Sequence, residues 1–105
     1  MSYAFVKFTR DKTRGEAMIK IGEKFNYISA EAIRKIEYAQ EIVVWYDKLN
    51  KALKIVHAFN NEIGTIRLIY NKHQKTATFN CLRLKMVMPI GKYYWNGTYQ
   101  CYKMI

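Results

Sequence analysis

A chain of 105 residues is too short for a multidomain enzyme and long enough for one compact domain with its own core. Half of its residues are hydrophobic and 15% are aromatic, which excludes a disordered tail, and apolar runs such as 42–46 fall far below the roughly 20 residues of a transmembrane helix. The 18 lysines and arginines outnumber the 8 aspartates and glutamates and give a net charge of +10.

The first part of the chain predicts an amino-terminal strand and then a unit of two strands, a helix and two strands. Alternating apolar residues indicate the strands, and Ser29 is a good N-cap residue for the helix. Ala32, Ile33 and Ile36 fall on one face of that helix. The expected elements are a strand over 2–8, a polar loop over 9–15, strands over 17–21 and 25–28, a helix over 29–36, and strands over 42–46 and 52–57.

The second part of the chain predicts the same order of elements again. Asn80 takes the place of Ser29 as the N-cap residue of a second, shorter helix, which Pro89 ends early. Asn96 followed by Gly97 is the strongest signal for a two-residue hairpin turn, because both central residues take a positive φ. The expected elements are strands over 65–70 and 75–79, a helical segment over 80–88 and a terminal hairpin over 92–105.

Together these elements predict an α+β fold that is mainly β and contains a pseudo-duplicated β-β-α-β-β unit. The first repeat covers 15–57, the second covers 64–105, and residues 60–62 link them. The whole of 1–105 then forms a single domain. Exposed strand edges and numerous aromatic residues favour a homodimer.

The charges are unevenly distributed along the chain. Residues 1–62 carry 11 basic and 8 acidic side chains, whereas 63–105 carry seven basic side chains and no acidic one. A positive surface without internal neutralisation favours a polyanionic partner, above all nucleic acid. The candidate phosphate-binding residues of this second part are Arg67, Lys72, Lys75, Arg83, Lys85 and Lys92.

Three segments of the first repeat carry a family resemblance. The segments 28–36 (ISAEAIRKI), 41–47 (EIVVWYD) and 52–56 (ALKIV) resemble the AbrB/MazE/SpoVT swapped-hairpin family of prokaryotic DNA-binding proteins, and two such units in one chain resemble the MraZ-like tandem arrangement. The resemblance implies an intertwined homodimer whose strands and loops contact DNA with basic side chains. The first-half candidates that it implies are Arg10, Lys12, Arg14, Lys20 and Lys24.

The residue types needed for catalysis or metal binding do not occur in a suitable pattern. A nucleophile needs a base within reach, but Ser29 is assigned to helix capping, and neither Cys81 nor Cys101 has a neighbouring histidine. A zinc site needs four close nitrogen or sulfur ligands, and a phosphate-binding loop needs clustered glycines. We therefore expect a non-enzymatic protein with no metal, no cofactor and no small-molecule substrate, and we expect both cysteines to be buried thiols.

Aromatic residues among basic ones offer a second route to nucleic acid. In the terminal hairpin, period-2 alternation places Tyr93 and Trp95 on one face and Tyr94 on the other, so one set packs in the core and the other is exposed. Exposed rings beside cations bind single-stranded nucleic acid by stacking.

The composition and patterns thus predict a small prokaryotic or phage/plasmid DNA-binding regulator that contacts phosphates through a basic surface. Two alternatives stay open: a protein that binds single-stranded DNA or RNA with exposed aromatic residues, and a small inhibitor or antitoxin-like protein that binds an acidic protein partner. Because no basic region followed by an apolar region opens the sequence, we expect a soluble, cytoplasmic protein without a membrane partner.

Overall fold

The computed structural model describes residues 3–5, 16–59, 63–73 and 75–104, and within these ranges the chain is mainly β, with two short helices. The predicted mainly β, α+β composition is therefore confirmed. The elements are β1 Met18–Ile21, β2 Asn26–Ile28, α1 Ala30–Lys35, β3 Glu41–Asp47, β4 Ala52–His57, β5 Ile66–Arg67, β6 Ile69–Tyr70, β7 Ala77–Phe79, α2 Leu84–Val87, β8 Gly91–Asn96 and β9 Cys101–Met104.

The described strands form one antiparallel sheet in the order β5-β3-β4-β9-β8-β1-β2-β7-β6. Its two edge strands, β5 and β6, are neighbours in sequence and are separated by Leu68 alone. Leu68 is buried, and its backbone N–H donates to the carbonyl of Gln40 at 2.9 Å. Because both edges lie within residues 66–70, the sheet curves until it nearly closes on itself.

Pairings between distant parts of the chain hold this sheet together. The hairpins β3–β4 and β8–β9 are local, but β1 pairs with β8, β2 with β7 and β4 with β9. The first part of the chain therefore depends on the last strands for the partners of β1 and β4.

One face of the sheet packs in the core and the other faces outward. Ile19 and Tyr93 are fully buried on the inner face, and Trp95 packs against the same core. Tyr94 lies on the outer face, where it is half-buried. The predicted alternation of Tyr93 and Trp95 with Tyr94 is confirmed, because successive side chains of a strand point to opposite faces.

The first helix forms where the sequence predicts it. The Ser29 hydroxyl oxygen accepts from the backbone N–H of Ala32 at 3.4 Å, as an N-cap residue does, and also from that of Met18 at 2.9 Å. The same hydroxyl donates to the carbonyl of Glu16 at 3.0 Å. Ala32 and Ile33 are fully buried. The cap thus starts α1 and also ties it to the beginning of β1.

The second helix is shorter than predicted, and Asn80 is not its N-cap residue. The cap position is Arg83, which makes no side-chain capping hydrogen bond. The backbone N–H of Leu84 donates to the carbonyl of Cys81 at 3.1 Å, so a separate turn occupies the residues that were expected to form the first helical turn. Leu84 is buried, and the helix ends at Val87.

The predicted two-residue turn at Asn96 and Gly97 is also wrong. Strand β8 ends at Asn96 and β9 begins at Cys101, so four residues connect them. The Asn96 side-chain oxygen accepts from the backbone N–H groups of Thr98 at 3.0 Å and Tyr99 at 3.2 Å. Because an asparagine side chain can organise the two or three residues that follow it, the turn is longer than the dipeptide signal indicates.

Two further predicted strands differ from the structure or fall outside it. The strand expected over 65–70 is divided into β5 and β6, because Leu68 turns into the core between them. Of the amino-terminal strand expected over 2–8, the structure describes 3–5, which lie in no strand. The rest of that strand, the loop at 9–15 and the linker at 60–62 lie outside the described residues. In the described ranges, no helix has the length and apolar character to cross a membrane.

Candidate nucleic-acid interface

Three lysines lie together on the outer face of the sheet. Lys20 of β1 and Lys92 of β8 are directly opposite each other in an antiparallel pair. Lys103 of β9 is opposite Tyr94, which is two residues beyond Lys92, so Lys103 and Lys92 are diagonal neighbours. Opposite residues on one face have Cβ atoms about 5 Å apart, and diagonal ones about 7–8 Å apart. We call Lys20, Lys92 and Lys103 the lysine strip.

Lys20 and Lys92 have no carboxylate beside them in the sheet, whereas Lys103 lies opposite Ala52 of β4, which in turn lies opposite Asp47 of β3. Hydrogen bonds from Asn50 and, to a smaller extent, the charge of Lys103 lower the pKa of Asp47. Strands β1, β8 and β9, and the next two strands, β2 and β7, contain no acidic residue. The Lys103 ammonium lies 4.8 Å from the centroid of the Tyr99 ring, which is a cation–π contact rather than an ion pair. Like charges that lie directly opposite each other destabilise a sheet. The strip is therefore an arrangement that a bound anion stabilises.

An open groove of about 500 Å³ adjoins the strip at the turn between β1 and β2. Phe25 is 61% exposed there, and Tyr27 is half-buried. We call this cleft the β1–β2 groove. Its lining residues are Met18, Lys20, Gly22, Glu23, Lys24, Phe25, Tyr27 and Thr78. It combines exposed aromatic surface with ammonium groups.

The turn that carries Lys24 and Phe25 is held in one conformation. A Cβ atom at Gly22 would lie 2.5 Å from the Phe25 carbonyl oxygen, so glycine is required for this close approach. The Lys85 ammonium donates to the backbone carbonyl of Glu23 at 2.8 Å and lies 3.7 Å from its carboxylate. Lys85 therefore fixes the turn from α2 and offsets the negative charge of the one acidic residue that lines the groove.

The structure brings together part of the predicted set of basic residues. Lys20 and Lys24 line the β1–β2 groove, and Lys92 lies opposite Lys20. Lys85 lies close to this groove, but its ammonium group is bound to the backbone carbonyl and the carboxylate of Glu23. Lys103 was absent from the predicted set, although it completes the strip.

The other predicted basic residues lie elsewhere. Lys72 and Lys75 flank the turn between β6 and β7, at the opposite end of β2 from Lys24. Arg67 on β5 lies directly opposite Glu41. Arg10, Lys12 and Arg14 lie outside the described residues.

Arg83 lines a second groove of about 500 Å³, which lies beside α2. Most of its lining is apolar and includes Tyr46, Ile66 and Met86. Arg83 is the one charged residue of this lining. A single cation among apolar side chains does not form the row of positive charges that a phosphate backbone needs.

The groups considered for catalysis are engaged in the structure or stand apart. Ser29 is the helix cap, and Cys81 and Cys101 are free thiols that are half-buried rather than buried as expected. Hydrogen bonding from the Asn50 side chain lowers the pKa of Asp47 in an exposed turn. In the described part of the chain, no group of three or more His, Cys, Asp or Glu residues is placed to hold a metal ion.

Sequence reasoning missed Lys103 and Phe25 as members of this surface. For Lys103 a signal was present, because it alternates with Tyr102 and Met104 and so had to face outward if Tyr102 was in the core. For Phe25 the sequence contains no such signal, since an aromatic residue at the start of a strand is usually buried.

Comparisons of this chain with protein-family models, with curated proteins and with solved structures find no match. The surface on β9, β8, β1 and β2 is therefore interpreted from its own chemistry.

Proposed function

We propose that this protein is a non-enzymatic nucleic-acid-binding protein, of the kind expected of a small DNA-binding regulator, and that it contacts phosphates through the lysine strip. One observation carries the proposal: Lys20 lies directly opposite Lys92, with Lys103 diagonal to Lys92, on strands without a carboxylate. This arrangement lowers the stability of the isolated sheet. A row of phosphates removes that cost, because each lysine then has a counterion and condensed cations are released from the nucleic acid.

We also propose that the chain is an internal duplication related to the swapped-hairpin family. The pairing pattern supports this, because β2 and β7, and likewise β4 and β9, are equivalent strands of the two repeats that pair with each other. The pairs β1–β8 and β5–β3 are equivalent as well, with β5 and β6 together in the place of β1.

Under this proposal, contacts that the resemblance assigns to two subunits are made between two halves of one chain. A single chain then suffices as the DNA-binding unit. The edge strands β5 and β6 have two residues each, which gives a second copy little to pair with. Light scattering of the purified protein tests this point: a monomer supports a single chain as the binding unit, and an obligate dimer contradicts it.

The test of function compares two variants that remove the same charge. Lys20, Lys92 and Lys103 are all replaced by Gln in one, and Lys48, Lys54 and Arg67 in the other. Anisotropy of labelled single-stranded and duplex oligonucleotides is measured across a range of salt concentrations, and circular dichroism checks the fold. We expect the strip variant to bind about tenfold more weakly, and its slope of log K against log salt to fall by about 2 to 3.

The control variant should keep most of the wild-type slope. Equal losses in the two variants would show that binding follows net charge and not the strip. The absence of binding to every oligonucleotide in dilute buffer would remove nucleic acid as the partner.

A further inference from the structure

The β1–β2 groove contains an exposed aromatic ring that is not packed in the core. Phe25 is 61% exposed, although the neighbouring strand residues Asn26 and Ile28 are buried. Single exposed rings are common on protein surfaces. Phe25 differs from an isolated ring because it lines one groove together with Lys20 and Lys24, so that a ring and two ammonium groups face the same space.

The backbone turn that carries the ring is held in place before any partner binds. Gly22 permits the close approach of the Phe25 carbonyl, and Lys85 fixes the carbonyl of Glu23 from α2. A contact surface that is already ordered loses little conformational entropy on binding. The backbone that presents Phe25 is therefore preformed, and only the rotation of the ring about its own side-chain bonds is lost on binding.

The chemistry around the ring suits one class of ligand. Lys20 and Lys24 supply positive charge beside Phe25, and the lysine strip continues this charge along the sheet. A nucleotide presents a flat aromatic base and a phosphate, and both parts find a partner in this groove. A duplex keeps the faces of its bases stacked inside the helix, whereas a single strand can offer an unpaired base.

We infer that the β1–β2 groove binds an unpaired base of a single-stranded nucleic acid, stacked on Phe25, while Lys20, Lys24 and the lysine strip contact the adjoining phosphates. This inference rests on the proposed function and adds that the bound nucleic acid is single-stranded. It makes single-stranded segments the preferred ligand over a duplex of the same sequence.

Phe25→Ala and Trp45→Ala form a matched pair for the test. Trp45 is 62% exposed on the outer face of β3 and lies opposite Lys54, so it too is an exposed ring beside a lysine. Its strand carries Glu41 and Asp47 on the same face, and β4 separates it from β9, the nearest strand of the lysine strip. Phe25→Tyr keeps a ring at the groove and serves as the conservative variant.

Each variant is titrated with labelled single-stranded DNA, single-stranded RNA and duplex DNA of equal length at one salt concentration. We expect Phe25→Ala to weaken single-strand binding by about 5- to 100-fold and to leave duplex binding almost unchanged, because one stacked base is lost. Phe25→Tyr and Trp45→Ala should both stay near the wild type. The DNA and RNA arms then identify which single strand is preferred.

An equal loss for single strand and duplex, or an equal loss in Trp45→Ala, overturns the stacking inference while the lysine strip still stands as a phosphate site. Absence of binding by the wild type to all three ligands overturns the proposed function itself.

Discussion

The outer face of the sheet has two regions that carry positive charge in different ways. On β1, β8 and β9, Lys20 faces Lys92 and Lys103 follows diagonally. On β3 and β5, Arg67 faces Glu41. The nearby helix α1 continues this pattern, with an Arg34–Glu31 ion pair at 3.5 Å.

The difference shows that the arrangement of the charges says more about where an anion can bind than the net charge of +10 does. Where opposite charges are neighbours, the surface is locally balanced, and each exposed pair adds only a few tenths of a kcal/mol or so to stability. Where like charges are neighbours, the folded protein bears a cost that a bound anion removes. Three pairs of variants test the two regions and the structure that supports them, from the largest expected effect to the smallest.

Replacing Gly22 with Ala should have the largest effect, because it acts on the turn that joins the strip to its groove. The new Cβ would lie 2.5 Å from the Phe25 carbonyl oxygen, which is too close for any non-bonded contact. We expect the free energy of unfolding to fall by about 1–3 kcal/mol, as for overpacked sites. Urea denaturation measures this change.

Gly97→Ala is the matched control for that variant. The nearest heavy atom to its new Cβ would be the indole nitrogen of Trp95 at 3.8 Å, an ordinary contact. Its stability should stay within about 0.5 kcal/mol of the wild type. Equal stability of the two variants would show that the β1–β2 turn can relax and does not hold Phe25 in place.

Replacing Tyr102 with Phe should have an intermediate effect and tests the core directly beneath the strip. The Tyr102 hydroxyl is buried and has no hydrogen-bond partner among the described residues. Removing this group should raise the free energy of unfolding by about 1 kcal/mol. The exposed Tyr46 offers a control, since Tyr46→Phe should change stability by less than about 0.5 kcal/mol.

Tyr102→Phe should also change the dependence of stability on pH. Burial raises the pKa of Tyr102 above its ordinary value of 10.0, so the unfolded chain loses this proton at a lower pH than the folded chain. Native stability therefore falls as the pH rises beyond about 10, and part of this fall should disappear in Tyr102→Phe. An identical alkaline profile in the two proteins would mean that the hydroxyl finds a partner in solution.

Single charge changes should give the smallest effects, but with opposite signs in the two regions. Lys92→Gln removes a like-charge neighbour of Lys20 and should raise the free energy of unfolding by about 0.2–1 kcal/mol at low salt. Arg67→Gln removes the opposite charge facing Glu41 and should lower it by a similar amount. Both effects should shrink as salt screens the charges. Thermal melts at two salt concentrations measure them, and equal signs would contradict the contrast between the regions.

Local signals predicted most of the elements but not the way they assemble. Ser29 and the apolar face at Ala32 and Ile33 predicted α1, because capping and helical spacing act within a few residues. The alternation of Tyr93, Tyr94 and Trp95 likewise predicted that Tyr93 and Trp95 share one face of the strand, but it did not say which face is buried. Asn80 does not cap α2, because the backbone hydrogen bond from Leu84 to Cys81 forms a separate turn before the helix.

The candidate interface could be predicted only in part for the same reason. Lys20 and Lys92 were both identified as basic candidates, but their direct opposition depends on the register between β1 and β8, which are far apart in sequence. The exposure of Phe25 depends on a turn fixed by Lys85, which lies in another element. Contacts of this kind arise from the closed sheet and leave no local pattern in the sequence.

The pairing of β1 with β8 and of β4 with β9 has a consequence for the folding of the chain during synthesis. During synthesis, β1 and β4 leave the ribosome before β8 and β9. Until β8 and β9 are made, one edge of β1 and one edge of β4 have backbone groups without a strand partner, although both strands lie inside the finished sheet. A product truncated after β7 would keep the pairs β1–β2 and β3–β4 but would leave one edge of β1 and one edge of β4 open to association with other chains. Pairing of β8 and β9 with these two strands is therefore also the step that protects the molecule from aggregation.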